Sequence, residues 1–442
     1  MSCNRWLTYR TLVMWTLGSL VEVGTMGKIA KLLPVLLLCV GLFHCSDTVT
    51  DPQDEPPRAL TQAELQTVSA FNDFGFELFR QVIQIDEGDT NVFVSPLSVS
   101  MALGMTVNGA RGTTEEDMKS TLEFGSMDIA DINEAYQGLM ELLPGLDPEV
   151  LFEVANSIWY RMGEDIREEF LGACQTYFDA DVTEIDFGSP DAAPTINGWV
   201  DDKTHGKIKK IVGDPVPADI VMYLINAIYF KGTWTDEFDP DLTHDDDFYP
   251  PKGAQISCRM MARPDAGEMA EFEYFADNDV EVIDLPYAKG FYTMTLVLPA
   301  GGVDLEGLIA GIDGEKWRAW TDSLSTHKGR LLMPKFETTY EIELKDALSA
   351  LGMGLAFTPD ADFSGMREGG GLWIDKVKHK TYVRVDEAGT EAAAVTSVGM
   401  IDVANPDTFI MHINRPFLFA IREKHSGTIL FIGKITDPGY LE

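Results

Sequence analysis

The 442-residue chain carries 71 acidic against 34 basic residues, a formal charge of -37. A field of that sign repels nucleic acid and anionic membrane, which argues against polyanion partners. Hydrophobic residues make up 45% of the chain and no repeat period is visible, so a large single core is expected and a solenoid is not.

Met1 to Val23 holds an apolar stretch broken by Glu22 and reads poorly as a targeting signal. Met26 reads better as the start, since Lys28 and Lys31 form a basic n-region and Leu32 to Phe43 an h-region too short to span a bilayer comfortably. Residues 1–25 are then an extension upstream of the true start and 26–45 a signal peptide. The sequence Leu42-Phe43-His44-Cys45 is similar to a bacterial lipoprotein signal, with His44 standing where a small residue is expected. Cys45 is the lipidation candidate; simple secretion or a retained anchor are the alternatives. Export by either route implies an extracytoplasmic protein, secreted or lipid-anchored at the cell envelope. Residues 46–60, rich in Pro and Asp, predict a disordered linker, and folded structure is expected over 61–442.

From Thr61 the pattern turns helical. A Thr61 to Glu64 capping box precedes Phe71, Phe74, Phe76, Leu78, Phe79 and Val82, which fall mainly on one helical side. Runs of helix then precede and separate runs of strand without regular alternation, which predicts an α+β domain. Only Cys174 and Cys258 lie within it, so no disulfide framework is implied, and two buried free thiols are expected rather than a bridge. The chain has no G-x-S-x-G elbow, no H-E-x-x-H and no phosphate-binding G-x-x-x-x-G-K-[ST] loop, and it is read as a non-enzyme without cofactor. His244 among Asp241 and Asp245 to Asp247 lacks spaced ligands, so no metal site is expected there. That dispersed acidity reads as a solvated surface.

The chain is organised around the stretch from His379 to Pro416. It opens as a strand, Thr381, Val383 and Val385 alternating with Tyr382, Arg384 and Asp386. After Glu387, Ala388 and Gly389 come Thr390, Glu391, Ala392, Ala393, Ala394, Val395, Thr396, Ser397, Val398 and Gly399, none with a large side chain. As a strand, this run would have one uncharged face, Thr390, Ala392, Ala394, Thr396, Val398 and Met400, fit for burial. It also reads as an Ala-rich linker, or as a short helix from Glu391 to Val395.

VDEAGTEAAA resembles the hinge of the serpin reactive-centre loop, and NRPFLFAIREKHSGTILFIGKITDP resembles the strands that follow it. NVFVSPLSVSMALGMTVNGARGTTEEDM, TINGWVDDKTHGKI, LINAIYFKGTW, LMPKFE and ADFSGM also resemble serpin motifs, in the family's order from about Leu60 to the C-terminus. The chain is therefore identified as a member of that family, bacterial and of inhibitory type. The resemblance implies about nine helices around three β-sheets, with an exposed loop hinged at Glu387, Gly389, Thr390, Glu391, Ala392, Ala393, Ala394 and Val395. It puts Ser95, Ser98, Asn226 and His379 at the shutter, a polar cluster under the central strands of sheet A. It puts Trp234, Lys335 and Glu387 at the breach where the loop enters, with a Lys335 to Glu387 ion pair.

The implied activity is suicide inhibition of extracellular serine proteases, with cysteine proteases a further class. A protease cuts the loop, and the loop inserts into sheet A with the acyl-enzyme attached. Family spacing from Glu387 puts the scissile bond at Val403 and Ala404, suiting elastase-like enzymes; Met400 or Ile401 would suit subtilisin-like or chymotrypsin-like ones. The alternative is a non-inhibitory serpin acting as a binding or chaperone-like protein. A monomer is expected, with no heparin site, because the segment where some serpins carry a basic helix is acidic here, and with membrane contact only through a lipid on Cys45.

Overall fold

A computed structural model of the chain describes residues 56–86, 90–264, 267–390 and 408–441. Helix α1 (Gln62–Ile85) begins with the reciprocal cap read from the sequence: the Glu64 amide donates to the Thr61 hydroxyl and the Thr61 amide to the Glu64 carboxylate. Its apolar stripe, Phe71, Phe74, Leu78, Phe79 and Val82, is buried. The residues before it depart from expectation. Arg58, assigned to a disordered linker over 46–60, forks onto Glu64 at 2.5 and 2.8 Å and also donates to the Gly138 carbonyl. The buried Glu64 carboxylate needs a cation, and this draws the end of the linker onto the domain.

Eight further helices follow among the described residues: α2 (Pro96–Val107), α3 (Gly112–Thr121), α4 (Ile129–Leu142), α5 (Glu168–Phe178), α6 (Ala192–Lys203), α7 (Leu305–Ala310), α8 (Gly314–Asp322) and α9 (Lys345–Ala350). Helix α2 is buried nearly all round, the mark of a helix inside a core rather than on one.

The strands in chain order begin with β1 (Val92–Val94), β2 (Leu151–Arg161), β3 (Ala180–Ile185), β4 (Met222–Thr233), β5 (His244–Phe248) and β6 (Ile256–Arg263). They continue with β7 (Ala270–Ala276), β8 (Val280–Tyr287), β9 (Tyr292–Pro299), β10 (Ser325–Pro334) and β11 (Phe336–Glu343). The last are β12 (Lys378–Asp386), β13 (Gly389–Thr390), β14 (Thr408–His412), β15 (Phe417–Glu423) and β16 (Ile429–Ile435).

The three expected sheets are joined into two hydrogen-bonded networks. Ten strands run β1-β16-β15-β9-β8-β7-β10-β6-β5, with β14 parallel to β10. The join is made by β10, whose first half pairs with β7 and whose second half pairs with β6. Strands β15 and β16 are buried throughout, and Phe93 of β1 stacks on Phe419 and Phe431 at 5.4 and 5.2 Å. The second sheet has six strands in the order β11-β12-β13-β4-β2-β3. Among the described residues no ladder joins β12 directly to β4. Among these residues, the two of β13 pair with both strands.

Both cysteines of the domain are free and buried, and burial pushes each thiol up to about 12.

Candidate functional site

Strand β12 buries His379, Thr381, Val383 and Val385 and turns Lys380, Tyr382 and Arg384 outward, the alternation read from the sequence. The chain then reverses within three residues. Gly389 and Thr390 pair antiparallel with Asp386 and Val385 on one side and with Thr233 and Gly232 of β4 on the other. Only glycine fits at 389, where φ is +152° and a Cβ would lie 2.2 Å from the Gly232 carbonyl oxygen.

The reversal is pinned from three directions. Lys335 Nζ lies 3.2 Å from a Glu387 oxygen, and the Thr243 hydroxyl donates to the other at 2.7 Å, all three side chains buried. Trp234 donates its indole N–H to the Asp386 carbonyl and its amide to Ala388, while the Phe238 amide takes Glu387. Every carbonyl from Asp386 to Ala388 thus has a donor, as a buried turn requires. Tyr287, at the end of β8, stacks on Trp234 at 4.5 Å and meets the Thr390 hydroxyl with its own at 2.7 Å. Burial raises the Tyr287 phenol far above its usual range, so it remains protonated.

Below Thr390 the strand position between β4 and β12 continues as empty space. A small cavity of about 20 Å³ lies between Ile228 to Phe230 and Tyr382 to Val383. Beneath it a larger one of about 390 Å³ separates residues 221–228 from 371–381, floored by α2 and roofed by residues 208–220. On the outer face, just after α6, His205 lies 4.4 Å over the Tyr229 ring of β4, and Lys207 lies 4.5 Å over the Tyr382 ring of β12. These two side chains straddle the empty position.

Ser95, Ser98, Asn226 and His379 all line the larger cavity. Ser95 is the cap of α2: its hydroxyl accepts from the Ser98 amide and donates to the Leu430 carbonyl at 2.7 Å. Its amide donates to His379 Nε2 at 2.9 Å, which leaves the imidazole proton on Nδ1. Burial pushes His379 down to about 4, so the ring is neutral. Asn226 is not bonded to this group; its amide goes to Asn156 Oδ1 at 2.8 Å, and its own oxygen is buried without a hydrogen-bond partner.

A family model described as serpin (serine protease inhibitor) matches residues 69–438. The chain belongs to the serpin family. Iripin-2 of Ixodes ricinus is 34% identical over 382 residues, spanning 85% of this chain and 94% of its own. Human neuroserpin is 31% identical, spanning 79% and 87%. Among solved structures, the thermophilic serpin Tengpin in the native state superposes with a TM-score of 0.76 at 32% identity, covering 86% of this chain and 95% of its own. Human thyroxine-binding globulin complexed with thyroxine gives 0.76 at 28%, covering 85% and 99%.

In this serpin the residues assigned to the breach are drawn together, and those assigned to the shutter all line one cavity, Asn226 without a hydrogen bond to the other three. The hinge positions Glu391, Ala392, Ala393, Ala394 and Val395, the Val403 and Ala404 bond, and Cys45 lie outside the described residues. Sequence reading missed Tyr287, Thr243 and Asn156. Only Asn156 left a trace, as an amide inside the otherwise strand-like FEVANSIWY. Among the described residues, no three His, Cys, Asp or Glu side chains are grouped to hold a metal ion.

Proposed function

We propose that this serpin is inhibitory and traps serine proteases by adding its cleaved loop to the six-stranded sheet between β12 and β4. The observation that carries this reading is the two-residue strand β13, already paired on both sides at the mouth of an empty strand position. Continuing its register sets Ala392 opposite Val383 and Phe230, Ala394 opposite Thr381 and Ile228, and Thr396 opposite His379 and Asn226. Thr396 would then bring a hydroxyl to the partnerless Asn226 oxygen, and every inward residue on the way is small enough to enter.

The strand from Thr390 to Val403 would carry the protease roughly 45 Å, at about 3.3 Å per residue. About a dozen new ladder bonds at ~1 kcal/mol each release on the order of 10 kcal/mol. Distorting the oxyanion hole of the attached protease by that means stops deacylation, because hydrolysis depends on donors held in place.

Val403 before the scissile bond suits the shallow pocket of elastase-like enzymes, with Met400 or Ile401 as sites for chymotrypsin-like or subtilisin-like ones. Helix α4 carries Asp131, Glu134 and Glu141 and no Lys or Arg, so inhibition is independent of heparin. We extend the reading to a monomer exported from a bacterial cell and anchored through Cys45, which Cys45→Ser would release from membranes.

Incubation with a panel of serine proteases tests the mechanism. A complex that survives boiling in detergent, with release of a fragment beginning at Ala404, supports it. Cleavage by every protease with no such complex favours a second reading, a non-inhibitory carrier, for which the likeness to thyroxine-binding globulin speaks.

A further inference from the structure

Thr390 enters the sheet through one side chain that neither the sequence pattern nor the ion pair at Glu387 accounts for. The Tyr287 ring is enclosed by Trp234, stacked at 4.5 Å, and Phe230, edge-on at 5.0 Å, and it is fully buried. Its backbone is locked to the same corner: Trp234 and Tyr287 form a β-bridge, and the Ala288 amide donates to the Thr233 carbonyl. Gly232 leaves room for the ring, since a Cβ there would lie 3.0 Å from it. In this apolar enclosure the phenol has one hydrogen-bond partner among the described residues, the Thr390 hydroxyl at 2.7 Å, itself buried.

We propose that Tyr287 is the positioning residue for strand addition, its hydroxyl seating Thr390 in the first inserted position so that the loop starts from a pre-paired end. Withdrawing Thr390 would leave the phenol dry and unpartnered, a larger penalty than the bond's own net value. The seated hinge is therefore the resting state, and insertion after cleavage extends an existing strand instead of nucleating one. The seating stands on the contacts alone. Its consequence for trapping rests on the inhibitory reading above.

The test uses the intact full chain in four forms: wild type, Tyr287→Phe, Thr390→Val, and the double variant. Hydrogen–deuterium exchange of peptides covering 385–390 is read without protease, so failure to trap a protease leaves the result standing. Thr390→Val, which orphans the phenol, should raise exchange of the hinge amides on the order of fivefold, and adding Tyr287→Phe should reverse most of that rise. A ring that acted only by packing would give additive effects, because Phe keeps the ring. Additive effects, or exchange unchanged in Thr390→Val, overturn the proposal. If the double variant fails to fold, Tyr287→Phe alone decides: hinge exchange faster than wild type, with exchange of β8 unchanged, supports the seating, and equal hinge exchange overturns it. Where a target protease is available, Tyr287→Phe should also raise the moles of inhibitor consumed per protease trapped without changing the initial cleavage rate.

Discussion

At the scale of single residues, the site depends on buried polar groups with few partners. Thr390→Arg would put an unpaired guanidinium beside Tyr287 and Val385, at a cost of several kcal/mol. The variant should still be cut but be consumed as a substrate; a gel showing the wild-type yield of trapped complex would falsify insertion through this hinge. His379 gives a pH signature. Its folded pKa of about 4 lies below the unfolded value of about 6.5, so the imidazole costs nothing above pH 6.5, where both states are neutral. As pH falls the unfolded chain takes the proton first, and stability declines between about 6.5 and 4 by on the order of 3 kcal/mol. Asp386 and Glu423, raised chiefly by burial, act in the opposite sense, so the quantity to measure is the difference between wild type and His379→Gln in denaturant melts across that range. Some of this chemistry was legible beforehand. Buried positions from His379 to Val385 follow the period of a half-buried strand, and Glu387 stands in a motif. Tyr287 was not legible, because LPYAKG is an ordinary strand end and its partner lies 103 residues away.

At the scale of elements, α6 and the residues after it decide how a new strand could enter. Lys207 reaches from that segment to the Tyr382 ring on the far side of the empty position, and such a cation over an aromatic face contributes about 0.5–2 kcal/mol. Lys207→Ala should loosen this crossing and speed insertion severalfold, as read by stopped-flow fluorescence of a dye on the loop after mixing with protease. An unchanged rate would put the barrier elsewhere. The helices were readable because caps and apolar stripes are local signals, as at Thr61 and Glu64. The joining of two sheets through β10 was not, since which edge a strand offers to β6 and which to β7 is set by partners far along the chain. Arg58 escaped for a similar reason: linker composition describes a solvated chain, not one cation drawn to a buried carboxylate.

At the scale of the whole molecule, β4 and β12 hold less pairing among the described residues than their lengths allow. On the inhibitory reading, a cut between Val398 and Val403 would free the loop to complete the sheet, and a gain on the order of 10 kcal/mol should raise the melting temperature on the order of 20 °C. Calorimetry before and after limited proteolysis measures it, and coincident transitions would leave only the carrier reading.

The facing edges of β4 and β12 have a further consequence. Open edges are templates for any strand of suitable shape, including one from another copy of the chain, and among the described residues no ladder other than the two residues of β13 covers these facing edges above the α2 floor. The charge of -37 supplies a colloidal defence, keeping copies apart at low ionic strength. Because that repulsion is screened within about 10 Å at 0.1 M salt and about 3 Å at 1 M, warmed samples should stay dispersed in dilute buffer and assemble into chains as salt is added. Light scattering against salt concentration at a fixed temperature reads this directly, and assembly that is independent of salt would show that the acidic surface does not guard the open sheet.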